Sequence, residues 1–60
     1  MQKYEALKQL VAAMETDVQK FYGGNNAAGT RVRKHLQEVK KACQAMRDEV
    51  QEIRGSRKEA

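Results

Sequence analysis

Two runs of apolar residues in alternating three- and four-residue steps, separated by a pair of glycines, constrain this chain more than any other feature. The first run is Tyr4, Leu7, Val11, Met14, Val18 and Phe21. The second is Val32, Leu36, Val39, Cys43, Met46, Val50 and Ile53. Steps averaging three and a half residues put a run on one face of an α-helix, the pattern of a coiled-coil seam. The chain has no proline to interrupt either run. The spacing predicts an all-α chain with one helix over residues 2–22 and a second over 26–54. Gly55 and Ser56 are expected to end the second helix, leaving residues 55–60 as a frayed tail.

Between the runs lies Gly23-Gly24-Asn25-Asn26. A glycine after the last seam residue is the usual left-handed C-cap, and asparagine is a preferred N-cap. A turn over 23–25 is too short to be a linker, so the helices must return antiparallel as a hairpin. One of the two glycines should hold a positive φ. Ala27, Ala28 and Gly29 then open the second helix, and Gly29 lies on its seam. Two readings of Gly29 stand side by side: close packing of backbone against Phe21 and Tyr22, or a flat surface that another backbone can approach.

The predicted helices are unequal, so the second overhangs the first by roughly 13 Å at 1.5 Å per residue. Val50 and Ile53 fall in that overhang, still in phase. A chain of 60 residues buries too little surface to be comfortable alone. Its single cysteine allows no internal disulfide, and Cys43 and His35 alone make no metal cluster. Oligomerisation is the remaining source of stability. The expected assembly is a homodimer, a coiled-coil-like four-helix bundle, or a higher oligomer, with Leu36, Val39, Cys43, Met46, Val50 and Ile53 as interface residues. Cys43 is expected to be a buried small hydrophobe, and Tyr4, Phe21 and Tyr22 to be core or turn plugs.

Charge is distributed unevenly. The formal net charge is +4. Residues 1–22 and 47–60 each carry equal numbers of acidic and basic side chains, so the whole excess belongs to Arg31, Arg33, Lys34, Lys40 and Lys41 against Glu38. At 100° per residue these cations, with Thr30, fall broadly opposite the second seam, Arg31 and Glu38 at one edge. They are expected to form a solvated stripe rather than salt bridges across the hairpin. A concentrated basic stripe suits a polyanion. The candidate phosphate-binding residues are therefore Thr30, Arg31, Arg33, Lys34, Lys40 and Lys41, and their spacing carries no base-reading signature, which points to contact with a nucleic-acid backbone. His35 reads as a surface residue flanking the seam.

Nothing in the sequence points to catalysis. Glu15 and Asp17 do not share a helix face, and Asp48, Glu49 and Glu52 read as a solvated acidic patch near Arg47 and Arg54. No nucleophile has a base at helical spacing, and the turn lacks the lysine and the preceding strand of a phosphate-binding loop. No catalytic residue, cofactor, metal or small-molecule substrate is expected. The longest apolar run, Leu10 to Met14, is far short of a membrane span, and the polar start MQKYEALKQ is not a signal peptide. A cytoplasmic, nucleoid-associated location is expected, with no membrane partner.

The stretch from Asn25 onward resembles the bacterial linker-histone-like proteins of chlamydiae and Bacteroidetes. The motif N-x-A-A-x-x-R-V-R is met by Asn25, Ala27, Ala28, Arg31, Val32 and Arg33. The short members also share K-F-Y before the turn, here Lys20 to Tyr22, then A-A-G-T-R-V-R-K at Ala27 to Lys34, and E-V-Q at Glu49 to Gln51. The resemblance covers essentially the whole chain and implies non-enzymatic DNA binding and nucleoid compaction. The chlamydial members carry a long Lys/Ala-rich tail that supplies much of their DNA affinity. These residues include no such segment, so DNA contact is expected from the folded part. The rival reading is a coiled-coil adaptor whose seam takes a partner protein's helix. A membrane-surface helix is a weaker third reading, because the apolar face is narrow.

Overall fold

The structure, a computed structural model, describes residues 1–57. It consists of α1, Gln2–Tyr22, and α2, Asn26–Arg57, packed antiparallel into a rod of 51 × 15 × 15 Å. The turn satisfies the chain's backbone on both sides. Asn25 N–H donates to the Lys20 carbonyl at 2.9 Å and Gly24 N–H to the Phe21 carbonyl at 3.0 Å, the paired bonds of a Schellman cap. That cap needs a positive φ at Gly24, which has φ 107°. Asn25 then opens α2, its Oδ1 accepting from Ala28 N–H at 3.1 Å. One asparagine thus closes the first helix through its backbone and caps the second through its side chain.

α2 runs on through Gly55 and Ser56 to Arg57, where the sequence reading ends it earlier. A helical glycine costs only about 1 kcal/mol against alanine, too little to stop a helix already propagating. The Ser56 hydroxyl also bonds back to the Ile53 carbonyl at 3.0 Å, one turn earlier. Of the expected frayed tail, Lys58 to Ala60 lie outside the described residues.

The packed faces are displaced from the expected seams. On α1 the positions turned toward α2 are Lys3, Leu7, Leu10, Met14, Asp17 and Phe21, and on α2 they are Ala28, Val32, His35, Val39, Ala42, Met46 and Glu49. Both sets keep the three-four spacing but admit polar residues. Among the described residues only Met14 and Ala28 are buried. Leu36, Cys43, Val50 and Ile53, placed on the seam by periodicity, are exposed in the single chain, as are Tyr4 and Val11. Val39 and Met46 are half-buried against α1. The expectation of a buried Cys43 is corrected within the hairpin, because two helices cover one side of each apolar stripe and leave the other bare. Tyr22, expected as a core or turn plug, is 83 % exposed.

At the turn end, small residues let the helices close. A Cβ on Gly29 would lie 2.7 Å from Phe21 Cδ1. The glycine is there because the phenyl ring occupies that space, which is the packing reading of the two that the sequence left open.

Candidate nucleic-acid interface

The first turns of α2 project a group of cations into solvent. Arg33, Lys34, Lys40 and Lys41 are all exposed, with Thr30 beside them, and none of the four forms an ion pair among the described residues. Arg33 and Lys40 border a shallow groove with Leu36 and Gln37, and Thr30, Arg33, Lys34 and Gln37 border the next. The helix places them there because their positions lie on the side of α2 away from α1, where long cationic side chains keep full hydration.

Arg31 is different, and corrects the expectation that the basic segment makes no bridge across the hairpin. Its Nε donates to Asp17 Oδ1 at 2.9 Å. His35 Nε2 lies 3.4 Å from the other carboxylate oxygen, an ion pair only when the imidazole is protonated. His35 is therefore a half-buried interhelical residue rather than a flanking surface one. The hydrogen bond from Arg31 holds the Asp17 carboxyl below its ordinary value of 3.8. Desolvation opposes that effect, and the charge of Arg31 and the contact with His35 reinforce it. Glu49 likewise leaves the expected acidic patch to pair with Lys3 across the hairpin at 3.1 Å, while Asp48 accepts from Gln44 at 2.9 Å on α2 itself.

Counting charge by segment missed one row. Arg33, Lys40, Arg47 and Arg54 recur every seven residues, so they share one line along α2. Arg47 and Arg54 fall in a stretch of zero net charge, and Asp48, Glu49 and Glu52 of that stretch lie off this row. With Leu7, Cys43, Met46, Val50 and Gln51 these two arginines line an open, largely apolar groove along the hairpin. Seven-residue spacing was the signal that could have found them.

No helix among the described residues is long and apolar enough to cross a membrane, and no group of three or more His, Cys, Asp or Glu side chains there could hold a metal.

Compared with known protein families, residues 1–56 fit the one described as histone H1-like protein Hc1. No curated protein and no solved structure matches the chain.

Proposed function

Because this chain belongs to the histone H1-like protein Hc1 family, we propose that it is a non-enzymatic DNA-binding protein that binds the phosphate backbone through α2 and helps to compact a bacterial nucleoid. The observation that carries this reading is the group of four exposed, unbridged cations at Arg33, Lys34, Lys40 and Lys41, in a chain whose entire net charge comes from that segment. Thr30 lies within reach of the same phosphates. Arg31 joins them only where a phosphate displaces or shares Asp17. Helical cations without a recognition pattern hold phosphates and leave bases unread.

The proposed working unit is a homodimer, a four-helix bundle. Its support is area: a compact chain of 6.8 kDa exposes about 4,000 Å², whereas this hairpin exposes 5081 Å². The difference is about what one partner buries in a standard interface. Leu36, Cys43, Val50 and Ile53 are the exposed residues such an interface covers, with Val39 and Met46 behind them.

The test is binding to arbitrary duplex DNA over a range of salt. Four to eight phosphate contacts per dimer give a slope of log affinity against log salt of roughly −4 to −7, at about −0.9 per contact. Replacing Arg33 and Lys34 together by Gln flattens the slope and weakens binding equally for all sequences, with helix content unchanged. An unchanged slope in that variant would remove the DNA reading. The same exposed apolar stripe favours the rival, a coiled-coil adaptor for a partner protein's helix, which requires no DNA binding near physiological salt.

A further inference from the structure

The uncovered apolar surface is built from both helices. On α1, exposed Tyr4 and Val11 and half-buried Val18 form a seven-residue row, and on α2, exposed Leu36, Cys43 and Val50 form another. Each row lies one residue beyond a packed row of its own helix: 3, 10, 17 on α1 and 35, 42, 49 on α2. The displacement has the same rotational sense in both, and in antiparallel helices that sense leads to the same side of the hairpin. The hairpin register, fixed by Lys3 with Glu49 and by Asp17 with Arg31 and His35, sets Tyr4 level with Val50, Val11 with Cys43 and Val18 with Leu36. The middle layer, Val11 and Cys43, falls at the middle of both helices, Gln2–Tyr22 and Asn26–Arg57.

We propose that this face takes a second copy of the chain turned end for end, with α1 on the partner's α1, α2 on the partner's α2, and the two-fold axis through the Val11/Cys43 layer. The assembly joins the two α2 cation rows into one ridge along a single edge of the dimer, and that ridge is the DNA site. The second half rests on the DNA-binding reading; the first does not.

Two observations bear on this arrangement as against one with both turns at the same end. The first is the overhang. α2 extends beyond α1 with Ile53 exposed. End for end, the overhang lies against the partner's α2 near Leu36 and Val32, whereas with both turns together it projects past the end of α1 in both chains. The second is charge. Along the α1 contact, Lys8 comes level with the partner's Glu15, and Met1 with the partner's exposed Tyr22, so that edge is complementary. Along the α2 contact, Lys40 comes level with the partner's Arg47. Facing like charges oppose assembly, and a phosphate backbone laid along them removes the opposition. DNA binding and dimerisation are therefore coupled, each strengthening the other. The ridge from Arg33 of one chain to Arg33 of its partner is about 30 Å long at 1.5 Å per residue, close to one turn of duplex.

Oxidative cross-linking tests the geometry. With copper-phenanthroline, the wild-type chain should give a Cys43–Cys43 disulfide between chains. The V11C/C43S variant, whose one thiol sits at position 11, should give the matching disulfide between the two copies of that position. A mixture of the two proteins should give only these self-links, read by peptide mass spectrometry. Mixed links between position 11 of the variant and Cys43 of the wild type in place of self-links, or a monomer at all concentrations in sedimentation, would overturn the arrangement. The ridge is tested by Arg47→Gln, which removes two cations per dimer. The salt slope should flatten by about 1.8, two phosphates at about 0.9 each, with cross-linking intact. An unchanged slope would remove the ridge. If the links fail while wild-type DNA binding keeps its salt slope, the inference falls and the DNA-binding reading stands.

Discussion

At the scale of single residues, the hairpin is pinned by groups that heptad patterning treats as outsiders. Asp17 is the clearest case: a carboxylate at a packed position, holding Arg31 and His35 of the other helix. Its folded-state pKa lies below the ordinary 3.8. A carboxyl depressed in this way contributes stability that is fully present above its unfolded value and lost as pH falls through the lower folded value. Thermal melts by circular dichroism should therefore show the wild type losing stability on acidification below about pH 4, the ordinary carboxylate range. Asp17→Asn should be less stable than wild type at pH 7 and lose less on going to pH 3. Equal acid losses in the two proteins would show that Asp17 is not the titrating clamp. Gly29 makes the complementary point, since its lack of a side chain is what leaves room for Phe21.

At the scale of elements, the turn decides whether the chain is a hairpin or one long rod. Both helices have strong propensity, and only Gly23, Gly24 and Asn25 separate them. Gly24 carries the conformational burden at φ 107°, and a Cβ there would meet nothing within 4 Å. The cost of a side chain at this position is thus backbone strain alone. Gly24→Val should destabilise the hairpin by about 1–2 kcal/mol, the usual penalty of a left-handed conformation for a residue with a Cβ. Gly23→Ala should cost far less, because Gly23 has φ −82° and ψ 1°, open to any residue. Chemical denaturation of both variants measures the difference, and equal losses would show that the cap is not what holds the turn.

At the scale of the whole molecule, two helices cannot cover each other's apolar surface. One side of the rod keeps Tyr4, Val11, Leu36, Cys43 and Val50 in water, and Ile53 is exposed past the start of α1. Val50→Asp places a charge on that side. Sedimentation equilibrium should show the variant as a monomer at micromolar concentrations where the wild type is dimeric. Its melting temperature should also stop rising with protein concentration, since association no longer contributes to stability. A wild type that is already monomeric and fully helical would sink the proposed dimer. One that is dimeric regardless of Val50→Asp would move the interface elsewhere.

Much of this architecture was legible in the sequence. Periodicity determined that there are two helices, glycine chemistry determined that they are broken at Gly23 or Gly24, and the shortness of the turn determined that they run antiparallel. Those are local properties, decided within a few residues by backbone sterics and side-chain spacing. Where the second helix stops was less legible, because one glycine is weak against a propagating helix. Which of two adjacent rows of α2 would face α1, and which would stay in water, was not legible either. Leu36 and Cys43 read as seam, yet Asp17, His35, Ala42 and Glu49 occupy the packed positions, so only the docking of the helices decided it. The physical reason is that an apolar stripe wider than one helix contact offers several rotations of similar burial. The choice among them falls to small nonlocal terms: the phenyl ring against Gly29, the Asp17 clamp, and the pairing of Lys3 with Glu49 at the far end. The same choice took Arg31 out of the free cationic set. It also put the row of Arg33, Lys40 and Arg47 beside the apolar face left in water, which no count of charge along the chain could show.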